Sequence, residues 1–348
     1  MRALAVIGSS LGDEGKGLMT DYLCSRGDVG VVVRFNGGAQ AGHTVVTPEG
    51  DRHVFHQIGA GAFCGVPTLL SQFMLINPIA MFIELKQLSE LNVFTDIFAS
   101  PECLVTTFAD MIINRRLEDA KGKDRHGSCG MGINETINRS KVSELKITMA
   151  DIYNQAKLET KIAEICDKYA KFRTGSKLDE PQMVDSFLRA CKTLPEHVFP
   201  AGIGQCENPL FEGAQGLLLD KNNKEFFPHV TRSNTGMKNV RELCQQAGIT
   251  DIDSYYITRT YLTRHGAGPL PGEDRNMSFE DETNQENPYQ GLLRFAPLDI
   301  KSLKERISKD SQGTNAKLVV THRDQLENKQ LESHFSSYGP TRDDVKEH

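Results

Sequence analysis

What most limits the folds open to this sequence is an apolar strand that runs straight into a glycine-rich loop near its start. Ala3-Leu-Ala-Val-Ile7 is a β-type run, and Gly8-Ser-Ser-Leu-Gly12-Asp-Glu-Gly15-Lys-Gly17 follows it directly. Leu18 to Ser25 then reads as a short amphipathic helix. Val29-Gly-Val-Val-Val-Arg34 reads as a strand buried on both faces of a parallel sheet. Strand, loop, helix and second strand in that order make a βαβ unit. Glycines let backbone N–H groups converge on an anion, and the helix adds its positive N-terminal end. Lys16 supplies a point charge for a phosphate, and Asp13 can ligate Mg²⁺ or move a proton. The spacing departs from the standard phosphate loop, which has glycine at the position of Ser10 and Ser or Thr at that of Gly17.

The pattern recurs along the chain. The second strand ends in Phe35-Asn-Gly-Gly-Ala-Gln-Ala-Gly-His-Thr44, placing His43 where ligands bind in open α/β sheets. Val45-Val46 and Val54-Phe55 flank the turn Thr47-Pro-Glu-Gly-Asp51, a hairpin signature. Asn77 and Pro78 suit the N-cap and first turn of a helix to about Leu91. Leu104-Val105 and a helical stretch over 107–120 lead to the basic loop Lys121-Gly-Lys-Asp-Arg125. Then comes His126-Gly-Ser-Cys-Gly-Met-Gly-Ile-Asn-Glu135, which suits a ligand loop and a plain surface loop equally. No companion base beside Cys129 marks it as a nucleophile. Residues 149–194 read as helical and carry no catalytic cluster. Leu210-Phe-Glu-Gly-Ala-Gln-Gly216 is a strand entering a glycine turn. Tyr255 to Leu262 is a strand ending in Thr263-Arg-His-Gly-Ala-Gly-Pro269, residues 272–290 form an acidic, amide-rich loop, and Leu318-Val-Val320 is the final buried strand. The expected fold is α/β, with a mainly parallel central sheet and flanking helices. It forms one domain over 1–348, with a helical insertion around 149–194 that is not separate.

The net charge of −6 argues against a broad nucleic-acid-binding surface. The eight cysteines are scattered without a C-x-x-C pair, as in reduced cytosolic proteins. No signal peptide and no membrane span is evident, so a soluble, cytoplasmic protein is expected.

Taken together, the motifs resemble the adenylosuccinate synthetases. The match runs from Gly12-Asp-Glu-Gly-Lys-Gly17 and Asn36-Gly-Gly-Ala-Gln-Ala-Gly-His-Thr44 through Phe211-Glu-Gly-Ala-Gln-Gly216 and Phe227-Pro-His-Val-Thr-Arg-Ser-Asn-Thr235. It continues with Thr263-Arg-His-Gly-Ala-Gly-Pro269 and Ser337-Tyr-Gly-Pro340. The resemblance implies a ligase with a P-loop-NTPase-like fold, acting as a homodimer without nucleic-acid or membrane partners. A nucleoside triphosphate phosphorylates the 6-oxygen of a purine nucleotide, and the amine of L-aspartate displaces that phosphate. By this resemblance Asp13, Lys16 and His43 are catalytic, Asp13 taking the N1 proton and His43 donating to the γ-phosphate and O6. Gly12, Asp13, Glu14, Gly15, Lys16, Gly17, Gly42, His43, Thr44, Thr321, Asp324, Ser337, Gly339 and Pro340 hold the triphosphate. Asp13 and the carbonyl of Gly42 hold Mg²⁺. Asp13, Asn36, Gln40, Ala41, Ser128, Cys129, Gln215, Thr231 and His265 face the substrate nucleotide. Arg139 is the counterpart of an arginine that reaches a partner subunit's substrate phosphate.

The departures bear on the substrates. The chain is short, as archaeal and phage members of the family are. The family's arginine-rich aspartate loop is here Pro288-Tyr-Gln-Gly291-Leu-Leu-Arg294-Phe-Ala-Pro, so only Gly291 and Arg294 remain, with Arg264 as the candidate to replace the lost cations. Gln40 stands where the family has asparagine, and His265 where it has valine. The Gly-Ser-Cys-Gly-Met-Gly-Ile-Asn-Glu block resembles the phage branch that joins aspartate to dGMP, giving N6-succino-2-amino-2′-deoxyadenylate. That branch implies ATP as donor. Asp324 is compatible with GTP, but His322 replaces the usual lysine beside the base. The alternatives are an IMP- and GTP-using synthetase, an inactive nucleotide-binding regulator and a phosphate-loop switch GTPase.

Overall fold

The computed structural model describes residues 1–122, 128–281 and 291–348. Lys123–Arg125 of the basic loop, His126 and Gly127, most of the acidic end of 272–290, and Pro288-Tyr-Gln290 lie outside the described residues.

The chain opens with β1 (Arg2–Gly8), α1 (Lys16–Ser25) and β2 (Val31–Arg34), then the hairpin β3 (His43–Val46) and β4 (Arg52–Phe55). Next come β5 (Thr68–Leu70), β6 (Leu75–Ile76), α2 (Pro78–Glu90), β7 (Ile97–Ala99), β8 (Leu104–Val105) and α3 (Phe108–Ala120). Asn77 caps α2 by accepting from the Ala80 N–H, and Thr107 with Asp110 forms a reciprocal capping box on α3. A helical stretch follows, α4 (Ile133–Arg139), α5 (Met149–Ile152), α6 (Gln155–Glu164), α7 (Ala170–Thr174) and α8 (Pro181–Thr193). The remainder is β9 (Val198–Pro200), β10 (Pro209–Gly216), α9 (Met237–Gln246), β11 (Asp251–Arg259), β12 (Tyr261–Arg264), β13 (Arg294–Pro297), α10 (Ile300–Asp310), β14 (Asn315–Thr321), β15 (Phe335–Ser337) and β16 (Val345–Glu347).

Ten strands form one sheet in the order β16-β15-β14-β11-β1-β10-β2-β5-β7-β9. Only β16 runs antiparallel to its neighbour. The opening strand sits in the middle of it. Gly8 registers with Gly216 of β10 and Ile257 of β11, and Arg259 with Thr321 of β14. Four strands therefore deliver their C-terminal loops to one edge. Side chains alternate as the pleat requires. Ala3, Ala5 and Ile7 pack with Met237, Val240 and Leu243 of α9, whereas Val6 packs with Met19 and Leu23 of α1. Leu158, Ile162 and Phe187 of the 149–194 helices share an apolar cluster with Met81 of α2 and Phe108 of α3.

Two expectations change. The strand from Tyr255 leaves the central sheet after Arg259, and Tyr261–Arg264 pairs antiparallel with Arg294–Pro297 instead. Leu262 packs with Leu11, Phe226 and Ala296, so one apolar run serves two separate cores. Leu318-Val-Val320 is not the last strand either: β15 and β16 follow, and Ser336 and Ser337 give the former no apolar run to announce it. Among the described residues no helix is long and apolar enough to cross a membrane.

Candidate active site

The loop after β1 is held from far away in sequence. The N–H and hydroxyl of Ser9 both donate to the Ile257 carbonyl. The Arg306 guanidinium donates to the Ser9 carbonyl at 3.2 Å and the Ser10 hydroxyl at 3.1 Å. Arg259 Nε donates to the Asp13 carbonyl at 2.6 Å, and the Thr321 hydroxyl to the Glu14 carbonyl at 2.9 Å. Within this frame Asp13 adopts the left-handed conformation, with φ of 56°.

The missing Ser or Thr after Lys16 has a steric reason. A Cβ at Gly17 would stand 2.8 Å from the Thr44 carbonyl oxygen and 3.1 Å from His43 Cβ. Glycine lets the start of α1 press against the His43 loop. At Gly15, whose φ of 91° opens that helix, only glycine is unstrained.

One cavity of about 370 Å³ brings together Asp13, Glu14, Gly15, Lys16, Gly17, Gly42, His43, Thr44, Thr321, Asp324, Ser337, Gly339 and Pro340. Gly12 lies outside its lining and packs towards Gln215. The Ser337 hydroxyl turns back to the Gly339 carbonyl at 2.6 Å, shaping the far wall, and Asp324 is exposed at the rim. His322 lines it too, as its place beside the base implies, and so do Arg52, Arg259, Glu280 and Asp281, which the motifs did not single out. His322, like Asp13, has a positive φ, 57°.

Behind His43 lies a buried charge network that the motifs left without a role. His43 Nδ1 donates to Glu212 Oε1 at 2.7 Å. Glu212 Oε2 accepts the Ala60 N–H at 3.1 Å and faces Arg34 Nη1 at 3.6 Å. Burial lowers the His43 pKa to about 4, and the charges of Arg34 and Lys16 add to it. Burial alone would raise Glu212, but His43 and Arg34 outweigh it and hold the carboxyl below its ordinary value. Glu212 is thus a carboxylate, and His43 is neutral with its single N–H facing inwards. With its Nδ1–H engaged by Glu212, Nε2 is the ring nitrogen left for a ligand. A charged residue inside the apolar strand Pro209–Gly216 was the available signal. Glu14 is the opposite case. Its Oε1 accepts the Ser10 N–H at 2.6 Å, Oε2 has no partner, and burial raises its pKa to about 7 despite Lys16.

The residues expected on the nucleotide and aspartate side are placed unevenly. Gln40 and Gln215 each bury an amide oxygen without a partner, both near Gly37, and Gln215 has a φ of 60°. His265 Nε2 is also buried and unpartnered. Asn36 differs: its side chain exchanges hydrogen bonds with the Ala214 backbone at 2.7 and 3.0 Å and ties the end of β2 to β10. The Ala41 carbonyl accepts from His56, the Ser128 hydroxyl donates to Asn114 at 2.9 Å, and Thr231 pairs with Ser233 at 3.4 Å. Burial pushes the Cys129 thiol up, away from nucleophilic use.

The arginines depart furthest from expectation. Arg139 is fully buried: Nε and Nη2 meet Asp110 at 2.9 Å, and further donors reach the carbonyls of Leu145 and Val105. All of these partners lie inside its own chain, so Arg139 does not project from the surface as an intersubunit role implies. Arg264 is buried too, its guanidinium donating to the carbonyls of Ala267, Pro269 and His229 at 2.9 to 3.1 Å, so it does not stand free for a carboxylate. Arg294 donates to the Gly268 carbonyl at 2.7 Å and lies 3.4 Å from Glu273, leaving its buried Nε unpartnered. Gly291 has a φ of 71°, and among the described residues no atom lies within 4 Å of where its Cβ would stand.

A family model for adenylosuccinate synthetase matches residues 5–291. The chain belongs to the adenylosuccinate synthetase family. An adenylosuccinate synthetase of Alkalilimnicola ehrlichii is 33% identical over 295 residues, covering 80% of this chain and 65% of that relative. Another, from Gloeothece citriformis, is 36% identical over 288 residues, covering 78% of this chain and 62% of its own length. The match thus spans a little under two thirds of these curated synthetases. Among solved structures, the fully ligated adenylosuccinate synthetase of Plasmodium falciparum superposes with a TM-score of 0.75 at 20% identity, covering 99% of this chain and 87% of that one. The succinoaminodeoxyadenylate synthetase of cyanophage S-2L, bound to dGMP and dATP, superposes with a TM-score of 0.63 at 16% identity, covering 99% and 95%. These two share the synthetase fold.

Proposed function

We propose that this chain is a carbon–nitrogen ligase that joins L-aspartate to the 6-position of a purine nucleotide, consuming a nucleoside triphosphate. The observation that carries this is the single cavity in which Asp13, Lys16 and His43 meet, with Glu212 behind His43. The nucleotide's N1 proton passes to the Asp13 carboxylate, and O6 attacks the γ-phosphorus as the diphosphate leaves. The amine of aspartate then displaces the phosphate from C6. Loop amides and Lys16 hold the transferring phosphoryl group. As phosphoryl charge builds, His43 Nε2 takes up a proton from solvent and donates it as a hydrogen bond to the charged oxygen, and Glu212 steadies the imidazolium. A half-buried Asp13 and Gly42 line the same cavity, a donor set that fits Mg²⁺, which keeps few protein ligands beside substrate phosphates. Bound there, Mg²⁺ would neutralise phosphate charge.

For the acceptor nucleotide we favour dGMP. Gln40 and Gln215 keep two buried acceptors unpaired, and a 2-amino purine brings N–H donors that hypoxanthine lacks. The solved phage relative bound to dGMP and dATP supports the same substrate and an adenine donor. The second reading is IMP with GTP, favoured by the names of the curated relatives. A homodimer is proposed on family membership alone. Pure protein incubated with aspartate, Mg²⁺ and dGMP or IMP, crossed with ATP or GTP, decides between the two. The expected outcome is a succinyl product from dGMP, with ATP the better donor. Product from IMP alone replaces the dGMP reading, and triphosphate hydrolysis indifferent to aspartate removes the ligase reading.

A further inference from the structure

Arg259 lies at the C-terminal end of β11, almost fully buried, with its guanidinium fixed in three directions. Nε donates to the Asp13 carbonyl at 2.6 Å, Nη1 to the Tyr261 hydroxyl at 3.1 Å and Nη2 to the Asp281 carboxylate at 2.7 Å. The far side of this grip is itself built. Tyr261 stacks on Phe279 with ring centroids 4.0 Å apart and an interplanar angle of 11°, and its hydroxyl also reaches Gln325. Gln325 in turn donates to the Glu280 carbonyl at 2.8 Å. The segment Phe279–Asp281 thus serves as a back-plate that orients the arginine, and the arginine grips the backbone of the residue with the most demanding conformation in the loop.

We infer that Arg259 is a positioning residue for Asp13, its Nε holding the Asp13 carbonyl so that the left-handed backbone, and with it the direction of the carboxylate, is kept in place. The inference rests on the proton-accepting role proposed for Asp13. An aspartate in this conformation relaxes towards the ordinary right-handed or extended regions once its carbonyl is released, and Cβ swings with the backbone. Lysine cannot stand in, because a single ammonium lacks the planar fork that meets three partners at once.

Arg259 also lines the triphosphate cavity, so the test must separate positioning from binding. Steady-state kinetics of succinyl-product formation by wild type and Arg259→Lys provide it, with thermal melting as a check on folding. Wild-type turnover comes first: if the wild type forms no product from dGMP or IMP, the proposed function fails, and the kinetics of the variant are not its cause. With an active wild type, the expected result is a kcat about a hundredfold lower in Arg259→Lys, the scale of a misplaced catalytic group, with little change in the KM for the triphosphate. A raised triphosphate KM at unchanged kcat makes Arg259 a ligand of the triphosphate and overturns the inference, as does unchanged kinetics. If Arg259→Lys does not fold, Asp281→Ala releases the far end of the guanidinium without touching Asp13. It must then show the same kcat-selective loss, and an unchanged kcat there overturns the inference as well.

Discussion

The two sides of the candidate site are built in different ways. On the side proposed for the triphosphate, groups from four parallel strands converge, and backbone geometry does most of the work: helix start, left-handed turns, carbonyls gripped by Arg259 and Thr321. On the side proposed for the acceptor nucleotide and aspartate, Arg139 and Arg264 are turned inwards, while the amide oxygens of Gln40 and Gln215 stand unpaired. A site made of backbone tolerates little change in sequence. A site made of side chains can be re-aimed by single substitutions, and it is there that Gln40 and His265 keep buried polar atoms without a partner.

That contrast can be tested in order of expected effect. Asp13→Asn should lower turnover by about 10²- to 10⁴-fold while thermal melting stays near wild type, because the residue is half-buried at a loop. Near-normal product formation would take the proton-accepting role from Asp13 and erase the asymmetry between the two sides. Arg139→Met should do the reverse, costing about 3–5 kcal/mol in denaturant unfolding by leaving Asp110 buried without its partner. Activity per folded molecule should persist. Lost activity at full stability would restore the intersubunit role that the resemblance implies. His43→Asn should slow product formation by roughly 10²- to 10³-fold if the histidine steadies phosphoryl charge, and an unslowed variant makes it structural.

The smallest effect is a pH dependence. Glu14 titrates near 7 in the folded chain against an ordinary 4.5, so its contribution is complete below 4.5 and lost as pH rises through 7. His43 titrates near 4 against 6.5, so its contribution is complete above 6.5 and lost as pH falls through 4. Between these limits the two slopes oppose. Glu14→Gln should leave a stability that rises with pH from 4.5 to 6.5, whereas His43→Asn should leave one that falls. Each variant should depart from wild type by about 1.4 kcal/mol per pH unit in urea melts. Parallel profiles for both variants would mean that the two groups do not titrate in this window.

The sheet was legible because Ala3–Ile7 and Val31–Arg34 are buried on both faces and have no choice but to be interior strands. The glycine loops were legible because only glycine accepts the turns at Gly15 and the contact at Gly17. What could not be read was where long side chains point. Arg139, Arg264 and Arg294 each carry the charge that an anion site needs, yet their donors are set by carboxylates and carbonyls that the fold brings near, and spacing along the chain says nothing of that. Glu212 was visible in its motif, but its meaning came only when β10 met His43 across 169 positions.

The loop after β1 is finished by residues made much later than itself. Its clamps at Arg306 and Thr321 stand 297 and 307 positions from the residues they hold. Contacts so distant in sequence form late, since the chain between them must first be gathered. On the ribosome the loop therefore emerges well before the residues that clamp it, and it takes its final shape only once they have arrived.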